Sequence, residues 1–257
     1  MPIRQGLENL RTLLAAVMTV RQAVIGTAPD RVRAMARYDA MARGYELRTA
    51  IGDQWRRELV ERLAPRPGEV ILDVGCGTGR NFEQIRRRIG PRGRLIGIEQ
   101  APEMLARANA LVQRRGWDNV ELVGAAAEHA SVPVAADAAL LCAVHDVMRS
   151  PAALANVLAH VRKGGRIVAG GPKWAPWRRS GALSLNLSTW RFNRDCVTTF
   201  EGFSRPWSRL AELVGDLDVT EVYEGGGYIA SAKLGRARGR FAARARERDD
   251  DTTPASG

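Results

Sequence analysis

Cysteine is scarce in this chain: Cys76, Cys142 and Cys196 are three residues in 257. They have no paired or metal-ligand spacing, which argues against a disulfide scaffold and a metal site and favours a reducing, cytoplasmic setting. Long hydrophobic runs are also missing. The longest, Leu13 to Val20, is broken by Thr19 and closed by Arg21, far below the roughly 20 apolar residues that span a bilayer. No Ala-x-Ala cleavage site follows it, so a secretory leader is not expected. Lysine is nearly absent, with only Lys163, Lys173 and Lys233 among 39 cationic residues. Solenoid or propeller repeats are not found.

What is present suits a globular chain, with 45% hydrophobic and 26% charged residues. The net charge of +11 divides as +4 over residues 1–64, +4 over 65–170, +1 over 171–234 and +2 over 235–257. An excess spread in this way reads as a solvated basic surface rather than a nucleic-acid patch.

Residues 1–64 read as a helical N-terminal cap. Leu7, Leu10, Leu14, Val17 and Val24 share a helical face. Packing on the domain is the favoured reading of that face, with weak association at a membrane surface as the alternative. A helix from Ile51 to Leu63 ends before Pro65 and Pro67. From Glu69 the pattern alternates. Val70 to Leu72, Leu95 to Ile98, Val120 to Val123, Ala138 to Cys142 and Arg166 to Ala169 read as strands buried on both faces. Helices are expected from Asn81 to Ile89, from Met104 to a stop at Gly116, and after the Ser150-Pro151 cap to a stop at Gly164-Gly165. This is a doubly wound α/β core over residues 65–234. Residues 171–207 form a tryptophan-rich cover with few regular signals. Residues 217–223 and 228–234 read as an antiparallel hairpin, and 235–257 as a disordered tail.

The informative segment is Asp73-Val74-Gly75-Cys76-Gly77-Thr78-Gly79, between the first strand and the helix near Asn81. Alternate glycines allow a sharp turn and close approach of a ligand. A dinucleotide loop needs glycine at position 80, where this chain has Arg80, and Asp73 would repel a pyrophosphate. Asp73 suits a cation instead. Glu99, at the end of the second strand, is placed to accept ribose hydroxyls. An adenosine carrying a cationic amino-acid arm satisfies all three features.

Val70 to Gly79, Gly97-Ile98-Glu99-Gln100 with Pro102 to Leu105, and Tyr38, Asp39 and Tyr45 resemble the class I S-adenosylmethionine-dependent methyltransferases. The tyrosines are similar to those of the branch that acts in quinone biosynthesis and phospholipid N-methylation. The resemblance spans about residues 36–170 and implies a Rossmann-like seven-stranded sheet with an antiparallel final hairpin. It also implies S-adenosyl-L-methionine as cofactor. Asp73, Gly75, Cys76, Gly77, Gly79 and Asn81 would then hold the methionine arm under Tyr38 and Tyr45. Glu99 would hold the ribose, with Gln100 and Met104 flanking the adenine. In the adenine loop the family often has Gly-Asp-Ala-Glu. Here Ala125-Ala126-Ala127-Glu128 stands in its place, so Ala126 offers no side-chain acceptor. Cys142, at the end of the fourth strand, would also lie against the cofactor.

Methyl transfer is an in-line displacement that depends chiefly on placement. His145, just past the fourth strand, is the candidate catalytic base, and Asp146 is expected to cap backbone or orient its neighbour. Trp174 and Trp177 are candidate acceptor-binding residues, able to meet a cation or a flat ring. The expected partner is a small-molecule methyl acceptor, such as a secondary metabolite, quinone or lipid head group. Nucleic acid is the less favoured acceptor. A non-catalytic S-adenosylmethionine-binding protein is the remaining alternative.

Overall fold

The computed structural model describes residues 53–194 and 197–235. Its elements are α1 (Asp53–Leu63), β1 (Val70–Val74), α2 (Phe82–Ile89), β2 (Arg94–Ile98), α3 (Pro102–Arg115), β3 (Val120–Val123) and β4 (Ala136–Cys142). There follow α4 (His145–Arg149), α5 (Pro151–Ala159), β5 (Val161–Pro172), α6 (Ala182–Asn193), α7 (Ser208–Val214), β6 (Asp218–Val222) and β7 (Gly227–Lys233). The sheet has seven strands in the order β3-β2-β1-β4-β5-β7-β6. β1 to β5 are parallel, while β7 pairs antiparallel with both β5 and β6. The doubly wound sheet with a closing antiparallel hairpin is therefore formed.

Successive β1 side chains enter opposite cores. Ile71 joins Leu59, Phe82, Ile85 and Ile89 on one face, and Leu72 and Val74 join Ile96, Leu141, Leu154 and Val157 on the other. Burial on both faces is why these strands are unbroken apolar runs. Two helix boundaries lie where the residues put them. Gly116 ends α3 in the left-handed region at φ 62°. Ser150 Oγ accepts the Ala153 N–H at 3.2 Å ahead of Pro151.

Other boundaries differ from expectation. Gly164-Gly165 does not stop a helix: α5 ends at Ala159, and β5 already begins at Val161, opposite Ala136. A Cβ on Gly165 would lie 2.5 Å from Val161 Cγ1 and 2.8 Å from the Arg162 carbonyl oxygen. Glycine is needed there to shift the strand register, not to break a helix. The cover segment, expected to hold little regular structure, contains α6, and α4 and α7 were likewise not expected. The N-terminal cap is described only from Asp53, and the tail only at Gly235; residues 1–52 and 236–257 lie outside the described residues.

The chain passes from β1 through β2 to β3 on one side, then returns to place β4 on the other side of β1. The crevice at this reversal, outside the carboxyl ends of β1 and β4, is where doubly wound sheets bind ligands. α1 closes one face close by, since a Cβ on Gly170 of β5 would meet Leu59 Cδ2 at 2.5 Å. Its end is tied down by Arg166, whose Nε donates to the Leu63 carbonyl at 2.9 Å and whose Nη1 donates to Glu69 Oε1 at 3.0 Å. Glu69 also accepts the Arg66 N–H at 2.8 Å. Replacing Arg166 by alanine leaves the Glu69 carboxylate, 10% exposed, without its cation. Arg166→Ala should therefore cost about 3 kcal/mol of unfolding free energy, the scale for breaking a buried pair from one side. Urea denaturation measures this, and a midpoint equal to wild type would show that the pair contributes nothing.

Candidate active site

β1 carries Asp73 to the crevice, where the carboxylate is fully buried. Its hydrogen-bonding partner is the Asn81 amide, whose Nδ2 lies 3.2 Å from each carboxylate oxygen. Asn81 sits at the N-terminus of α2, but its side chain turns back to Asp73 instead of capping the helix. Burial raises the Asp73 pKa to about 7, against the opposing effects of Asn81 and the Arg56 guanidinium, and the Glu99 charge raises it further. Asn81 Oδ1 and Thr78 Oγ1 are buried without a hydrogen-bond partner. A carboxylate and an amide oxygen thus share one buried place that has more acceptors than donors. A positively charged N–H donor is the ligand group that balances it.

The loop beyond Asp73 is held by its own backbone. The Cys76 N–H donates to the Ile98 carbonyl at 3.0 Å and the Gly79 N–H to the Cys76 carbonyl at 3.0 Å. Gly75, Gly77 and Gly79 have φ of 64°, 57° and 84°, in the left-handed region that favours glycine. Gly75 also permits a close approach, because a Cβ there would stand 2.4 Å from Val144 Cγ1. The Cys76 thiol packs toward Gly97, where an added Cβ would come within 2.9 Å of the sulfur. Cys76 therefore faces the core and offers the loop only its backbone.

Glu99, at the end of β2, is buried. Its Oε2 accepts the Gly77 N–H at 3.0 Å and its Oε1 accepts the Ala101 N–H at 2.7 Å. The same carboxylate therefore braces the glycine loop at the end of β2. Gln100 is half-buried and Met104 lies buried in the first turn of α3. In the neighbouring loop Ala126 and Ala127 are buried and Glu128 is half-buried. Asn156 of α5 shapes that loop by donating to the Ala127 and Ala130 carbonyls at 2.8 and 2.9 Å.

The β4 side of the crevice is neutral. Burial pushes the Cys142 thiol up to about 12 and the His145 imidazole down to about 4. His145 Nε2 lies 3.1 Å from the Glu201 carbonyl, which can only accept, so the proton is on Nε2. His145 Nδ1 then carries a lone pair, buried and without a partner. The ring meets Phe203 edge-on at 4.7 Å, and Phe203 and Phe200 pack against Trp174 at 5.2 and 5.1 Å. Asp146 accepts from the Thr198 hydroxyl at 3.1 Å and from the Thr198 N–H at 3.4 Å, a residue 52 positions away and not its chain neighbour His145. Trp177 is half-buried and outside this aromatic group, and His129 is exposed. Tyr38 and Tyr45 lie outside the described residues.

The crevice also contains residues that the sequence did not single out. Arg56 comes from a helix 17 positions ahead of Asp73, and Phe200 and Phe203 belong to a stretch without periodicity. Tyr228, buried at the start of β7, lies beside Cys142 and packs against Trp207 at 5.2 Å. No local spacing signals any of these, because only the sheet order brings them together.

Residues 71–165 match a family model described as a methyltransferase domain. The chain is 30% identical over 178 residues to trans-aconitate 2-methyltransferase of Pseudomonas aeruginosa, covering 64% of this chain and 62% of that protein. It is 34% identical over 131 residues to nocamycin O-methyltransferase of Saccharothrix syringae, covering 49% of this chain and 46% of that protein. The chain thus spans less than two thirds of the length of these curated relatives. Geranyl diphosphate C-methyltransferase of Streptomyces coelicolor, solved with S-adenosyl-L-homocysteine, shares the fold. Its TM-score is 0.53 at 15% identity, over 70% of this chain and 78% of that one. Residues 71–165 are thus similar to a methyltransferase domain, and the sheet order is the fold that the chain shares with that solved methyltransferase.

Proposed function

We propose that this protein transfers a methyl group from S-adenosylmethionine to a small-molecule acceptor. The observation that carries the reading is the acceptor-rich pair of Asp73 and Asn81, buried beneath a glycine loop that Glu99 braces. When bound, the cofactor supplies an electrophilic methyl on a positively charged sulfur. Asp73 and Asn81 would hold its ammonium, the loop N–H groups its carboxylate, and Glu99 its ribose hydroxyls. Gln100, Met104 and the loop from Ala126 to Glu128 would enclose the adenine. Tyr38 and Tyr45 would cover the methionine arm.

His145 stays neutral at physiological pH, and its bond to Glu201 leaves Nδ1 as an obligate acceptor. It would orient an O–H or N–H on the acceptor, with Trp174 and Trp177 roofing that side. A small-molecule acceptor is supported by the names of the relatives matched over long stretches, one acting on trans-aconitate and one on nocamycin. A quinone or lipid head group would also fit an aromatic wall of this kind. Formation of S-adenosylhomocysteine with carboxylate, phenol and amine acceptors tests the assignment. Turnover confined to RNA, or cofactor binding without turnover on any acceptor, would overturn it.

Two measurements address the cofactor side. An ammonium needs the ionised form of Asp73, which in the free protein takes up a proton at about pH 7. Affinity for S-adenosylhomocysteine should be level above that pH and fall toward tenfold per unit below it, because binding must expel the proton. His145 titrates well below this window. Asp73→Asn should bind weakly with little pH dependence over the same range. Equal titration enthalpies and affinities for wild type at pH 6 and pH 8 would place the ammonium elsewhere.

Glu99→Ala should weaken the same ligand by about 1.5–3 kcal/mol, the scale of hydrogen bonds to a charged group. It should also lower Tm, since the Gly77 N–H loses its acceptor. A lower Tm with unchanged affinity would mean that Glu99 braces the loop and does not touch the ribose.

A further inference from the structure

Tyr228 is a buried titratable residue that the proposed reaction leaves unused. It pairs across the sheet with Gly171 of β5, and its ring lies over that glycine. A Cβ on Gly171 would stand 3.5 Å from Tyr228 Cε1, 3.9 Å from Tyr228 Oη and 3.8 Å from Ala143 Cα. Because β5 has no side chain there, the tyrosine of β7 reaches across it toward the end of β4. Trp207 packs on the ring at 5.2 Å, and the residue is only 2% exposed.

A buried tyrosine hydroxyl ordinarily finds a hydrogen-bond partner. Among the described residues this one has none. Burial first, and then the nearby Cys142 sulfur, push the phenol well above its usual range, so it keeps its proton. Cys142 also links this hydroxyl to the acidic side of the crevice, since Asp73 and the Asn81 amide both act on the same thiol. Tyr228, Cys142, Asn81 and Asp73 are thus successive neighbours from β7 to β1. An unpaired polar group at the ligand-binding end of the sheet calls for a partner from outside the chain.

In the function proposed above, Asp73 and Asn81 would take the ammonium and Glu99 the ribose. A sulfonium has three carbon substituents in a pyramid. With one directed to β1 and another to β2, the methyl is the substituent left for the β4 side. On that side Trp174, Phe200 and Phe203 offer rings, Cys142 a weakly accepting thiol, and His145 Nδ1 is assigned to the acceptor's own proton.

We propose that Tyr228 is a further cofactor-binding residue, whose oxygen faces the methyl on the sulfonium and so distinguishes S-adenosylmethionine from its demethylated product. This role rests on the cofactor placement proposed above. The positive sulfur polarises the methyl C–H bonds toward an oxygen lone pair. A phenolate in the same place would itself take the methyl, and burial prevents that ionisation.

Calorimetric titration of wild type and Tyr228→Phe with three ligands tests it. S-adenosylhomocysteine lacks the methyl, S-adenosylmethionine carries it, and in sinefungin a carbon bearing an ammonium group replaces the methylated sulfur. Tyr228→Phe keeps the ring on Trp207 and deletes an unpartnered hydroxyl, so Tm of the ligand-free protein should not fall. Affinity for S-adenosylhomocysteine should be unchanged. Affinity for S-adenosylmethionine should drop about two- to fivefold, the scale of a C–H···O contact. Affinity for sinefungin should drop about tenfold or more, the scale of a hydrogen bond to a charged group. Equal losses for all three ligands, or a lower Tm, would give the hydroxyl a structural role and overturn the proposal. So would three unchanged affinities, because the hydroxyl would then face away from the methyl. A wild type that binds none of the three would remove the cofactor reading itself, and the role of Tyr228 with it.

Discussion

A carboxylate buried without a full-charge contact organises this molecule. Asp73 must end β1 at the sheet reversal, and the neighbouring strands, β2 through Gly97 and β4 through Leu140, bury it on both sides. Removing an ionised carboxyl from water is costly unless hydrogen bonds and countercharge replace the solvent. Asn81 and the more distant Arg56 offset that cost only in part, so the proton affinity rises toward neutrality. The unmet part of the cost is what a cationic ligand can recover. The adjacent features serve this arrangement. Glycines let the loop pass close to Val144, and Glu99 holds the loop by the Gly77 N–H.

The two sides of the crevice differ in electrostatic character. The β1–β2 side has two buried acids, Asp73 and Glu99. The β4–β5 side presents uncharged and aromatic groups, a neutral thiol at Cys142, a neutral imidazole at His145, and rings from Trp174, Phe200 and Phe203, with its charged side chains taken up in pairs and tethers. In the proposed function, charge on the ligand would belong to the first side and a reacting group excluded from water to the second. Excluding water from the second side favours placement of a nucleophile, because no solvent dipoles must reorganise as charge moves. Buried tethers keep that side in position. Thr198 is held on Asp146, Arg149 pairs with Glu201, and the Lys173 ammonium donates to the Trp174 and Gly225 carbonyls at 2.8 and 3.0 Å.

The cluster proposed to hold the cofactor could be picked out in the sequence because its residues are local. Asp73, Gly75, Gly77, Gly79 and Asn81 fall within nine consecutive residues, and Glu99 ends the next strand, so a turn and one βαβ unit bring them together. On the side proposed for the acceptor, the sequence pointed only to residues that adjoin a strand end, such as His145 and Trp174. α6 escaped notice because its apolar residues are spread round the helix and not gathered on one face. Leu187 and Phe192 point outward and Asn186 points inward, so a search for a buried apolar stripe finds none. Gly164 and Gly165 misled for a related reason. Glycine is equally at home in a helix stop and a strand irregularity, and the choice was made by pairing with Ala136 in a distant strand.

The sequence by itself determined the alternation of buried strands and helices, the glycine loop and the two acids that face it. Each of these depends on period, spacing or backbone freedom over a few residues. The tertiary structure decided what no such window contains. It set the pKa of Asp73 by closing neighbouring strands over it, and the tautomer of His145 by bringing the Glu201 carbonyl across 56 positions. It also turned Asn186 of α6 inward, where its side chain supplies the hydrogen bonds of the Ala175 backbone. Desolvation and long-range hydrogen bonding arise only when distant segments meet, which is why composition and spacing could not reveal them.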